Sequence, residues 1–174
     1  VQRPIKPEWL IRQANKLAGR DPPATGQPIN ADLRRAVSAA YYALFHKLII
    51  CAGEALLPKG TQEDRWRFGR HFEHAAMKRV CGWATGQSSA PARYRPLLSP
   101  LSGDPQLMVI ALAFQALQQD RHSADYDHEA NFTKPQVLNL IDLASTAIVT
   151  LDALKGTAPL QVFLVQMAIS SKGP

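Results

Sequence analysis

Residues 30–57 read NADLRRAVSAAYYALFHKLIICAGEALL, and this stretch decides the fold. Leu33, Val37, Tyr41, Leu44, Leu48 and Cys51 recur at steps of three and four, one stripe of a helix. Tyr42, Phe45, Ile49 and Leu56 make a second apolar stripe on the same helix. A helix that is apolar on two faces escapes water only in the middle of a bundle. Asn30 is expected to cap its start, and Pro58-Lys59-Gly60 to end it.

Working outward, the flanking sequence carries further helical patterns and no strand pattern. Pro7 and Glu8 suit the first turn of a helix over residues 7–19, followed by a Pro- and Gly-rich loop to Ile29. Thr61 with Asp64 resembles a capping box, opening a helix that is expected to run to about Gly82 with Phe68, Phe72, Ala75, Ala76 and Val80 inward. Residues 84–106 hold four prolines and read as a long loop, a length usually tied to function or motion. Asp104-Pro105 and Thr133–Pro135 start two more helices as cap and first turn. Gly156 lies past the end of the second of these, and Pro159 opens a short last helix that is apolar almost all round. The expectation is an all-α, antiparallel up-down bundle of five to six helices, a single domain over residues 1–174.

Composition narrows the class. A chain of 174 residues with 46% hydrophobic content can bury a core without staples. Cys51 and Cys81 both fall inside helical patterns and read as reduced core thiols of a cytoplasmic protein. No apolar stretch reaches about 18 residues without a polar interruption, so neither a transmembrane helix nor a membrane partner is expected. Val1-Gln2-Arg3-Pro4-Ile5-Lys6 has no apolar core of a secretory signal. The net charge of +6 is unevenly spread. Residues 59–95 carry eight Lys and Arg against three acids, while residues 96–133 carry Arg121 against five. A basic lobe beside an acidic one suits an anionic partner, or is a solvated face.

The run Arg121-His122-Ser123-Ala124-Asp125-Tyr126-Asp127-His128 follows Leu107, Ile110, Phe114 and Leu117 on one helical face. Continuing by four and then three places Arg121, Asp125 and His128 on that same face. An inward-aimed ion must be paired, because burying it alone costs several kcal/mol. The plain reading is an Arg121–Asp125 ion pair at i, i+4 with His128 on the surface.

Arg121, a polar His122, and His128 after six intervening residues resemble the R-x4–6-H signature of HEPN domains. Upstream, the run from Arg35 to His46 resembles the Ser/Ala/Tyr/Phe-rich helix that opens many bacterial HEPN domains, and Ala124-Asp125-Tyr126-Asp127 resembles the ADYD run later in the family. The likeness spans residues 30 to about 155. It departs in its spacing of six, the long end of the range, and at Ala130, where some toxic members carry Tyr. The resemblance implies a metal-independent endoribonuclease with no cofactor, acting as a homodimer that brings two motifs together. It further implies a toxin–antitoxin or defence setting, with a nucleotidyltransferase antitoxin among the expected partners. It equally admits a non-catalytic module that binds nucleotide or RNA, or that serves as the helical partner of a nucleotidyltransferase.

The residue chemistry suits RNA cleavage. The 2′-OH is the nucleophile, so the protein must supply proton transfer and cationic charge at the phosphate. His128 suits proton transfer, Arg121 suits phosphate, and His122 would orient or donate. Arg35, Ser38, Tyr42 and His46 form a polar seam on the first-quoted helix, where Arg35 and Ser38 could hold phosphate and Tyr42 could stack a base. The competing reading makes Tyr41 and Tyr42 core or interface aromatics. Arg70 and His71 belong to a basic stretch that could face RNA. His71 and His74 have metal-ligand spacing on a helix but no evident third ligand, so no metal is expected. A third reading makes the protein a helical interaction module whose basic lobe docks an acidic protein.

Overall fold

The computed structural model describes residues 5–21, 26–95 and 104–170. Among these residues there are seven α-helices and no strand: α1 (Pro7–Leu17), α2 (Asn30–Leu56), α3 (Gln62–Gly69), α4 (His74–Ala84), α5 (Pro105–Tyr126), α6 (Lys134–Ala153) and α7 (Ala158–Ser170). A single 3-10 turn, Ala92–Tyr94, interrupts the long segment after α4, and the loop expected there extends to residues outside the described ones. The all-α bundle expected from periodicity is what forms, with one helix more than anticipated.

The 27-residue α2 is its axis, packed by α1, α3, α5, α6 and α7. Its first stripe vanishes from solvent: Leu33, Val37, Tyr41, Leu44, Leu48 and Cys51 are all buried. The second stripe divides. Phe45 is buried, whereas Tyr42, Ile49 and Leu56 are half-buried. Cys51 and Cys81 are both buried free thiols, and burial pushes the Cys51 thiol up to about 11. The largely apolar α7 packs on α2 and α4, burying Phe163, Leu164 and Met167 along with Gln166.

Side-chain caps mark the starts of α3, α5 and α6. Asp104 accepts from the backbone N–H groups of Gln106 and Leu107 with Pro105 at the first position, as its sequence suggests. Thr61 with Asp64, and Thr133 with Gln136, form reciprocal capping boxes. Gly156 follows α6 at φ 83°, a left-handed conformation open to glycine.

Three expectations need correction. The helix expected from Thr61 to Gly82 is two helices, broken over residues 70–73. Gly69 closes α3 where it abuts α2, and a Cβ there would lie 2.6 Å from Ile49 Cγ2. The break turns Phe72 inward while leaving Ala75 exposed. The third correction concerns Asn30, which is the first residue of α2 rather than its cap; Ile29 holds the cap position. Its side chain instead reaches across the bundle, donating to the Ala130 carbonyl and accepting from the Phe132 N–H.

Among the described residues two helices, α2 and α6, have the length and composition of a membrane span. The α2 window is 72% buried, as in a core helix. The exposed side of α6 carries Asn139, Asp142, Thr146 and Asp152 beside Val149.

Arg34 ties α2 to the end of α5. Its Nε donates to the Ala124 carbonyl at 2.7 Å and its Nη2 to the Asp127 carbonyl at 2.7 Å. These are orphan carbonyls of a helix C-terminus, where a cation is favoured. Arg34→Met keeps the aliphatic stem and removes both bonds, together with a longer one from Nη1 to the Ala130 carbonyl at 3.5 Å. It should lower unfolding free energy by about 2 kcal/mol, a fall of roughly 5 °C in melting temperature at this size. A melting curve superimposable on wild type would show that the clamp contributes nothing.

Candidate functional site

The site grows from two helix faces that Arg34 and Asn30 hold together. On α2, Arg35, Ser38, Tyr42 and His46 follow at steps of three and four. From the end of α5 come Arg121 and Asp125, and from the start of α4 comes His74.

Asp125 is the pivot. Its Oδ1 accepts from Ser38 Oγ at 2.6 Å, and its Oδ2 lies 2.5 Å from Arg121 Nε. The second contact is an ion pair by distance, but its angle falls short of a hydrogen bond. Arg121 Nη2 donates to the Tyr42 hydroxyl at 2.9 Å. The guanidinium also lies 5.4 Å from the ring centroids of both Tyr42 and Tyr126, within cation–π range. Burial works to lower the Arg121 pKa, yet Asp125 and the two phenols outweigh it and hold the group above its ordinary value. The side chain of Arg121 is 19% exposed, so this cation is largely committed to its neighbours.

Behind this network sits a second polar pair. The Tyr41 hydroxyl lies 2.5 Å from His74 Nδ1, and the His74 ring stacks on Phe45 with centroids 4.1 Å apart. Burial, then the charge of Arg121, then His46 push His74 below the usual imidazole range. Burial raises the Tyr41 phenol. Both shifts favour an uncharged pair, a phenol donating to a neutral imidazole. Burial likewise lowers His46, which lies beside Tyr42 on the next turn of α2.

His128 does not extend the helical face. Helix α5 ends at Tyr126, and His128 falls in the turn that follows. There it lines an open hollow of about 470 Å³ together with Asn30, Arg34, Arg35 and Asp125. Arg121 does not line this hollow; it meets it only through Asp125. Arg35 and His128 are both exposed and make no side-chain bond among the described residues.

The remaining expected residues scatter. His122 is exposed and packs its ring against Tyr126 at 5.1 Å, so it meets Arg121 only through that ring and makes no contact with Asp125. Arg70 and His71 lie in the turn between α3 and α4, so His71 and His74 do not share a helix. Arg70 borders a different opening on the molecule, and neither residue reaches the hollow. Among the described residues no three His, Cys, Asp or Glu side chains gather as a metal site. Sequence reasoning missed Arg34 and the Tyr41–His74 contact. Nothing local signals either, because the partners lie 90 and 33 residues away.

Compared with protein-family models, curated proteins and solved structures, the chain matches none.

The two lowered imidazoles set an acid limb of stability. His46 and His74 resist protonation when folded but not when unfolded. The unfolded chain therefore binds more protons, beginning near the ordinary imidazole value of about 6.5. Stability should fall as pH drops from there through the folded values, before the depressed carboxylates Asp142 and Asp152 begin to matter at lower pH. Urea midpoints measured across this window should decline in wild type. The decline should flatten in a His46→Asn/His74→Gln double variant, and an equal slope in both proteins would contradict the assignment.

Proposed function

We propose that the protein is a metal-independent endoribonuclease working at the hollow between the start of α2 and the end of α5. The observation that carries this is the placement of Arg35 and His128, both without side-chain partners, on one open wall beside Asp125. A phosphate seated there would meet the Arg35 guanidinium, with Arg34 close behind it. His128 would accept the 2′-OH proton or return one to the leaving 5′ oxygen. One imidazole serves only one of these roles at a time. A second copy across a homodimer supplies the other, which is the arrangement that the HEPN resemblance implies. Arg121 then acts as a positioning residue: it fixes Asp125, and through it Ser38, at the edge of the hollow. A toxin or defence role, a cytoplasmic location and a nucleotidyltransferase partner extend this proposal from the resemblance.

A second reading rests on Arg121 itself. A guanidinium held by Asp125 and Tyr42 is poorly free to clamp a reacting phosphate. That favours a non-catalytic module which binds RNA or nucleotide at the hollow and leaves chemistry to a partner.

Cleavage of total RNA in excess chelator separates the two. His128→Ala should lower the rate by about 10²- to 10⁴-fold, the usual loss for a general acid or base. Its melting temperature should not change, because the side chain is exposed. Arg121→Ala should differ by also losing about 1–3 kcal/mol of stability, since Asp125 is left without its cation. Wild-type protein that binds RNA without cutting it, or a His128→Ala protein that cuts as fast, would transfer the function to the binding reading.

A further inference from the structure

On the opposite stretch of α2 lies a second and larger opening, an elongated groove of about 1260 Å³. Its apolar part comes from Ile5, Phe45, Ile49, Ile50, Trp66 and Phe72. Its charged rim is Lys6, Arg65 and Arg70, with Lys47, Glu54 and Lys155 at one end. The last three are already neutralised, Lys47 by Asp152 and Lys155 by Glu54 and Asp152. Lys6, Arg65 and Arg70 have no carboxylate partner among the described residues. Lys6 rests over the Trp9 ring, and Arg65 donates only to the carbonyls of Leu57 and Pro58. Of the two carboxylates that line the groove, Glu54 is held by Lys155, which leaves Glu8 facing these three cations. Large apolar side chains stand open here: Ile5 is 54% exposed and Trp66 43%.

We propose that this groove docks an acidic amphipathic helix of a partner protein. The lining spans α2 from Phe45 to Glu54, about 14 Å of helix, which matches two to three turns of a docked helix. Apolar side chains at i, i+3, i+4 and i+7 would enter between Ile49, Ile50 and Trp66. Glu or Asp flanking that stripe would meet Lys6, Arg65 and Arg70, where charge complementarity sets partner and register. Trp66 beside a cation has the makeup of an interface anchor.

The chemistry disfavours the other occupants. A nucleic-acid strand would set ribose and phosphate against the aliphatic floor of Ile49 and Ile50, where neither finds a hydrogen bond. A lipid bilayer presents a broad surface, and this face is concave. A second copy of the chain pairing groove to groove would bring like charges together. The proposal is independent of the ribonuclease reading, because the groove shares no lining residue with the hollow that holds His128.

The test uses the full chain and a synthetic helical peptide with Leu at i, i+3, i+4 and i+7 and Glu on both flanks. Titration should shift Trp66 emission to the blue, with a dissociation constant at or below about 100 µM. Arg70→Glu should weaken binding by about tenfold or more, as one charge-pair loss of about 1.4 kcal/mol does. Trp66→Ser should remove the emission change, and circular dichroism would verify that both variants fold. The His128→Ala protein should bind as wild type does, so failed cleavage and failed docking stay distinct. Absence of binding, equal binding by Arg70→Glu, or equal binding of a peptide carrying Lys for Glu would overturn the proposal. So would displacement of the peptide by a single-stranded RNA octamer or by phosphatidylserine vesicles. Sedimentation showing self-association that Arg70→Glu abolishes would assign the groove to a second copy instead.

Discussion

A helix of 27 residues with apolar side chains on two faces cannot be left in water. Satisfying α2 fixes nearly everything else in the molecule. Its most buried stripe includes Tyr41, Leu44 and Leu48, each removed wholly from solvent. Full burial of each such side chain is worth roughly 1.5–3 kcal/mol. The flanking helices are therefore arranged by the need to cover this stripe, and the surrounding core residues join it in one continuous cluster. The half-covered second stripe is the remainder of the same constraint. Where α1 and α3 leave Ile49 and Ile50 only half covered, the groove opens.

The same geometry decides how the charged residues behave. An exposed Arg–Asp pair at i, i+4 contributes about 0.3–0.5 kcal/mol, too little to organise a site. Arg121 and Asp125 are different because α2 backs them. Ser38 takes one oxygen of Asp125 while Arg121 takes the other, and Tyr42 takes a second nitrogen of Arg121. The ion pair thereby becomes a bracket between two helices. Arg34 and Asn30 reinforce it from the side by tying down the carbonyls and N–H of the segment that carries His128. The imidazole is exposed, yet the turn that presents it is fixed at both ends.

Much of this was legible in residue order. Period-3.6 spacing found α2, and short-range chemistry found the starts of α5 and α6, because caps act within three residues. The Arg121–Asp125 pair was legible for the same reason, being one helical turn apart. The break between α3 and α4 was not, because Phe68 and Phe72 keep helical spacing straight through it. Its structural correlate is the close approach of Gly69 to Ile49. Asn30 misled for a related reason. It carries a capping side chain at a helix start, but partners about a hundred residues away claim it. Likewise His128 sits on the inward face only if the helix continues, and α5 stops two residues short of it.

Finally, the positive charge of this protein does not act as one patch. At one end of α2, Arg34 and Arg35 border a small hollow whose remaining lining is Asn30, Asp125 and His128 with two small residues, Ala31 and Ala124. At the other, Arg65 and Arg70 border a larger groove floored by isoleucine and aromatic rings. Cations in the first setting favour a ligand that can accept hydrogen bonds throughout, such as a phosphate backbone. Cations in the second favour a ligand that is apolar on one side and anionic at its margins. Between the two openings run Ser38 and Tyr42, a seam already occupied by Asp125, Arg121 and the ring of His74, while His46 one turn further on lines the groove itself. A single strand of nucleic acid laid along α2 would have to displace that network to join the two ends. Leaving Asp125 or Arg121 unpaired in partly buried surroundings would cost several kcal/mol, so the two openings are separate sites that answer to different chemistry.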